Sequence, residues 1–154
     1  MQKPKRSTAA AKEIIGWREN VDLPDLGLFD QIAKIDTGAR TSSMHVDSIE
    51  PFSNEAGQMR ARIVKKISHA GRTTVIRDWN VPVHGFKEVR SSNGMKETRA
   101  IIKTTLKIGD ITREVEFTLT NRKLMRYEIL IGRRALRGKF LVNPSKSYLL
   151  SPKP

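Results

Sequence analysis

Apolar positions along this chain fall in short runs that alternate with polar residues or stand as brief blocks, and they rarely recur at helical spacing. Gln31 to Ile35, Met59 to Ile67, Thr73 to Ile76, Ala100 to Ile108, Arg113 to Leu119, Ile129 to Ile131 and the pair Ile14-Ile15 each predict a strand. Alternation is clearest in Thr104 to Gly109 and Thr112 to Thr118, and the Gly109-Asp110 turn between them predicts a hairpin. A second hairpin is predicted from Glu88 to Ile102 about Ser91-Ser92-Asn93-Gly94, where Asn-Gly suits a two-residue turn. Its polar arms should let it project from the body. One short helix is predicted, Arg133 to Leu136, following Gly132. With no internal repeat and no low-complexity tract, the pattern gives a mainly β fold with one short helix.

Composition narrows this picture. The 154 residues, 38% of them hydrophobic, suffice for one domain with a core. That domain is placed at 13–150, between a flexible basic arm (1–12, with Lys3, Lys5, Arg6 and Lys12) and a short tail (151–154). Cysteine is absent, which excludes disulfides, thiol nucleophiles and thiolate metal sites. No apolar run approaches the roughly 18 residues of a membrane span, and the start lacks the apolar centre of a secretory signal. A soluble, cytoplasmic protein with no membrane partner is therefore expected.

Lys and Arg number 29 against 16 Asp and Glu, a formal charge of +13. The bases are concentrated: six and no acid from Arg60 to Arg77, and seven against Glu128 alone from Arg122 to Lys139. Blocks of this kind on strands form either a coherent surface for an anionic partner or a solvated exterior. Basic residues near Trp79 and Phe86 also allow nucleic-acid binding by charge and stacking, although only 6% of residues are aromatic. Trp79 has a core role as its alternative.

The segment richest in chemistry is Ala33-Lys34-Ile35-Asp36-Thr37-Gly38-Ala39, an apolar run ending in a turn that can present a carboxylate. Far downstream, Ile129-Leu130-Ile131-Gly132-Arg133 leads through a short helix to Leu136. In these two segments the chain resembles the retropepsin-like aspartic peptidases, whose half-domain pairs an Asp-Thr-Gly-Ala turn with an apolar-apolar-Gly-Arg strand. Three further segments, Ile15-Gly16-Trp17-Arg18-Glu19, Ala39-Arg40-Thr41-Ser42-Ser43 and Leu136 to Pro144, are similar to a bacterial branch often labelled ATP-dependent zinc proteases. The resemblance implies a closed acid-protease barrel, with Asp36, Thr37 and Gly38 as catalytic residues. It also implies that Ala39, Arg40, Arg133 and a flap of Ser91, Ser92, Asn93 and Gly94 contact substrate.

A retropepsin-like mechanism needs two carboxylates sharing a proton across a water. The chain has one Asp-Thr-Gly, and Asp110 reads as a turn residue, so the dyad would take Asp36 from each of two identical protomers. Viral members place an acid directly after Asp-Thr-Gly-Ala, where it can pair with the arginine of the Gly-Arg segment. Here Arg40 stands in that position, opposite Arg133, and two guanidinium groups could receive substrate carboxylates instead. Pairing of Arg40 with a local acid, Asp47 or Glu50, is the alternative. The resemblance further implies a link to ATP-grasp glutamate ligases. The expected substrate is an acidic peptide or glutamylated protein; a non-catalytic peptide-binding module and a nucleic-acid-binding protein stand as alternatives.

Neither word of the family label finds its residues. Gly132 to Phe140 has five residues between its glycines and Phe140 where a phosphate loop needs Ser or Thr. His45, His69 and His84 are scattered, leaving Asp36 with His45 as the pair that could converge on zinc. No cofactor and no metal ligand are expected.

Overall fold

The computed structural model describes residues 11–68, 74–90, 93–121 and 126–152. In chain order the strands are β1 (Glu13–Gly16), β2 (Arg18–Leu23), β3 (Leu28–Ile35), β4 (Ser42–His45), β5 (Ser48–Ser53), β6 (Met59–Ser68), β7 (Thr74–Pro82) and β8 (Gly85–Arg90). There follow β9 (Lys96–Ile108), β10 (Ile111–Thr120), β11 (Ile129–Ile131), the helix α1 (Arg133–Leu136) and β12 (Phe140–Asn143). A short 3-10 turn, Pro24–Leu26, joins β2 to β3.

Six strands close on themselves in the order β10-β4-β11-β3-β2-β9, and the β9–β10 hairpin seals the ring. That hairpin is the one the alternation predicts, with Ile108 opposite Ile111 and Gly109 at φ 58 in the two-residue turn. Ile102, Leu106 and Ile108 point inward from β9, meeting Val115, Phe117 and Leu119 of β10 in a continuous core. The mainly β barrel with one short helix is thus as the sequence implies, and α1 has the predicted bounds.

β9 outgrows the barrel. Its residues 96–101 carry β8 as an added strand, from Gly85 opposite Ile101 to Arg90 opposite Lys96. The second predicted hairpin therefore forms, its last described partners being Arg90 and Lys96, with Asn93 and Gly94 between them. Ser91 and Ser92 fall outside the described residues.

β5, β6 and β7 form a separate antiparallel sheet. Its docking takes one base of the Arg60–Arg77 block, Lys65, off the surface. Ala61, Ile63, Lys65 and Ile67 alternate inward from β6, and Lys65 is fully buried. Its Nζ donates to the His45 carbonyl at 2.8 Å and to Glu128 Oε2 at 2.9 Å, which ties this sheet to the barrel. On the outer face Arg62 pairs with Asp78 at 2.7 Å and Arg60 Nε donates to Asn80 Oδ1 at 2.7 Å. Trp79 packs against the core, as expected.

The two chain ends of the domain meet in a parallel ribbon, β1 with β12. A Cβ on Gly16 would collide with the Lys146 carbonyl and lie 2.6 Å from Ser147 Cα, so the backbone there admits only glycine. Arg18 lies over the rings of Trp17 and Tyr148, at 4.6 and 5.1 Å, holding the final segment against β2. Ser151, read from the sequence as tail, is buried, and its Oγ accepts from the Gly109 amide at 3.1 Å.

Candidate functional site

Two strands distant in sequence build the site because they run parallel. β3 and β11 pair with Ile35 beside Ile131, so Asp36 and Gly132 leave the barrel side by side. The Asp36 amide continues the ladder to the Ile131 carbonyl at 2.8 Å. Antiparallel β4 lies on the other side of β11, which brings Ser42 to the same end. Its Oγ accepts from the buried Gly132 amide at 3.0 Å.

The loop 36–41 then folds over that end. Gly38 donates its amide to Asp36 Oδ1 at 3.1 Å, fixing the half-buried carboxylate, and Ala39 donates to the Asp36 carbonyl at 3.2 Å. The start of α1 grips the loop from below, with Arg133 and Arg134 amides donating to the Ala39 and Arg40 carbonyls at 2.8 and 3.1 Å. A Cβ on Gly132 would lie 2.6 Å from the Thr41 carbonyl carbon and oxygen, closer than real Cβ contacts come.

The two sequence-predicted arginines differ in employment. Arg133 Nη1 donates to the Thr37 carbonyl at 2.9 Å, so this guanidinium stitches the loop. The exposed side chain of Arg40 pairs with none of the described residues. Asp47, one of its candidate partners, is held by the Lys66 amide at 2.6 Å and lies 3.5 Å from His45 Nε2. Burial pushes the Asp47 carboxyl up, but the Lys66 amide and the nearby His45 outweigh it and hold the pKa below 3.8.

Two adjoining cavities of about 180 and 220 Å³ flank the loop, and both are lined by Arg40, Thr41, Lys87 and Thr118. Lys87 reaches them from β8 and donates to Thr41 Oγ1 at 3.2 Å, so the body of the β8–β9 hairpin lies on the Asp36 side of the barrel. Gly94 adopts φ 81 at its tip. Thr41, Ser42 and Lys87 were not legible as site residues. Only the close pairing of β11 with β4 and the reach of β8 bring them in.

Other candidates lie elsewhere. Asp110 sits in the β9–β10 turn, roughly 20 Å of strand from Phe117, the β10 partner of Ser42. His45 is at the far end of β4 from Ser42, about 10 Å along the strand, and turns to Asp47. His84 Nε2 is 3.6 Å from Glu116 Oε1, and His69 lies outside the described residues. Among the described residues no three His, Cys, Asp or Glu side chains are grouped to hold a metal ion. No helix among them is long and apolar enough to cross a membrane.

Over most of its length the chain is similar to known proteins. Residues 14–153 match the model of a family described as RimB-like, retropepsin-like aspartic endopeptidase RimB. Proteins named probable alpha-L-glutamate ligase, from Shewanella pealeana and Parasynechococcus marenigrum, are 38% and 39% identical over 92% and 90% of this chain. The chain spans only 31% and 29% of those relatives' lengths. A crystal structure of a Legionella pneumophila protein of unknown function superposes with TM-score 0.72 at 26% identity, covering 91% of this chain and 99% of that one.

Proposed function

The chain belongs to the RimB-like family of retropepsin-like proteins, and from that membership we propose that it is an aspartic endopeptidase acting on acidic or glutamate-rich peptides, with Asp36 supplied by each of two protomers. The observation that carries this reading is the construction around Asp36: a carboxylate at the barrel end, oriented by the Gly38 amide and fixed by a loop bonded at several points to Arg133 and Arg134. Such rigidity suits a group that must meet its twin across a water.

In the proposed reaction one Asp36 carboxylate takes a proton from water as the water oxygen attacks the peptide carbonyl carbon. The other, protonated, Asp36 gives its proton to the carbonyl oxygen, and the pair titrates as a unit. Collapse of the tetrahedral intermediate breaks the C–N bond and returns a proton to the leaving amine. Gly38 holds the carboxylate through its amide, Thr37 fixes the loop through its carbonyl on Arg133, and Ala39, Arg40 and the hairpin about Asn93 and Gly94 border the substrate. Ser91 and Ser92 belong to that hairpin by sequence alone. Arg40 supplies the preference for acidic side chains. The names of the relatives support a link to glutamate addition, since a glutamate-rich chain made by an ATP-grasp ligase is the kind of substrate this cleft suits.

Asp36→Asn, almost isosteric, should abolish hydrolysis of a glutamate-rich peptide by the purified protein while leaving its thermal unfolding nearly unchanged. Undiminished hydrolysis would exclude the aspartic mechanism. Wild-type protein that binds the peptide and never cleaves it would instead identify a non-catalytic binding module.

A further inference from the structure

The cavity of about 220 Å³ beside the Asp36 loop contains a buried charged group with an open donor. Arg99, on β9, lines it and is only 8% exposed. Its Nε donates to Glu97 Oε2 at 3.1 Å, but its buried Nη2 has no hydrogen-bond partner among the described residues. A buried guanidinium donor left unpaired is costly, and folded proteins keep few of them. Glu97 is itself divided, since its Oε1 accepts from Thr120 Oγ1 at 3.2 Å.

Arg99 does not stand alone. Lys87 from β8 and Arg40 from the Asp36 loop line the same cavity, so three cations from three elements border it and no acid lines the space itself, Glu116 standing in the wall of the adjoining cavity. The remaining wall includes Ser43, Thr118 and Thr120, whose hydroxyl groups suit a polar occupant, with Val89 and Leu130 beside them. At about 220 Å³ the cavity is too small for a nucleotide and large enough for a carboxylate on a short aliphatic stem.

We propose that this cavity is a side-chain pocket for a glutamate of the substrate, with Arg99 as its specificity-determining residue and Lys87 and Arg40 at its rim. The pocket deepens the reading of the protein as acting on acidic peptides and rests on it. The carboxylate enters between Lys87 and Arg40 and takes the open guanidinium donor, in the geometry that makes arginine a strong carboxylate receptor. Lys87 links this event to the hairpin, because its present partner Thr41 belongs to the loop that follows Asp36.

Binding can be read separately from cleavage in protein carrying Asp36→Asn. A fluorescent oligoglutamate peptide and its oligoglutamine counterpart, titrated by anisotropy, should show clear preference for glutamate. Adding Arg99→Gln should reduce glutamate affinity roughly ten- to a hundredfold while leaving glutamine affinity nearly unchanged. Because Arg99 is buried, Lys87→Gln serves as a second variant whose partner is a single hydroxyl; it should lower glutamate affinity several-fold with the same selectivity. Equal losses for both peptides, or no loss in either folded variant, would overturn the pocket. Neither result depends on catalysis: a pocket that binds in a protein whose wild type never hydrolyses would sink the peptidase reading and leave this one standing.

Discussion

Arg40, in the loop after Asp36, and Arg133, at the start of α1, were both expected to meet substrate, yet their guanidinium groups do different work. Arg133 holds the Thr37 carbonyl, so Arg133→Ala should lower hydrolysis of acidic and neutral peptides alike by loosening the Asp36 loop. Arg40 pairs with none of the described residues, so Arg40→Ala should weaken a glutamate-rich peptide about tenfold or more and a neutral one little, a contrast read from paired Kd values. Matched losses in both variants would assign both arginines to the scaffold. Glu19 shows the opposite economy, a carboxyl kept where no substrate reaches. It is fully buried on β2; Oε1 accepts from the Leu150 amide at 2.6 Å and Oε2 has no partner among the described residues. Burial raises its pKa above 4.5, against the pull of the amides of Leu150, Gly16, Leu149 and Ser151. A carboxyl raised in the folded state contributes stability that is complete below 4.5 and is lost as pH climbs through the folded value. Glu19→Gln keeps the acceptor and removes the charge, so its urea midpoint relative to wild type should rise between about pH 4 and about pH 8. A pH-independent difference would contradict that. Asp36, Thr37 and Gly38 were legible because a short motif names them. Arg99 and Lys65 were not, because a charged residue in an alternating strand reads as solvent-facing until its neighbours are known.

At the scale of elements, the strands that alternation found are those whose inward positions are apolar, as in β9 and β10. β2 and β4 escaped for the opposite reason. Glu19 and Asn20 are buried in β2, and all four residues of β4, Ser42-Ser43-Met44-His45, are buried, so polar side chains occupy positions that a binary pattern assigns to water. β4 also anchors the site, since Ser42 receives the Gly132 amide. The β8–β9 hairpin was legible in its pairing, since the polar arms on either side of Asn93-Gly94 pair from Gly85 opposite Ile101 to Arg90 opposite Lys96. β8 is an edge strand with every second residue exposed, held toward the Asp36 loop by the Lys87 to Thr41 bond. Its amides should therefore exchange with deuterium faster than those of β9 facing β10, and a bound glutamate-rich peptide should slow them most. Protection in β8 equal to that of the barrel, unchanged by peptide, would mean that the hairpin is not a flap.

At the scale of the molecule, charge and the proposed assembly oppose each other. Each chain carries +13, and the proposed dyad needs two chains to bring their Asp36 loops together. Like-charged protomers repel over about a Debye length, roughly 8 Å at physiological salt, so low ionic strength disfavours the pair while it favours capture of an acidic substrate. Salt should then act in two directions that protein concentration separates. In dilute protein, where assembly limits, moderate salt should raise the rate on a neutral peptide, and specific activity should fall as the protein is diluted further. In concentrated protein, where assembly is complete, the same salt should lower the rate on a glutamate-rich peptide by screening Arg40 and its neighbours. A glutamate-rich peptide should also draw protomers together by neutralising both clefts, visible as a shift in sedimentation of the Asp36→Asn protein. Specific activity that stays constant on dilution to a sedimenting monomer would place both catalytic groups in one chain, and Asp36 could then no longer be the sole acid of the reaction.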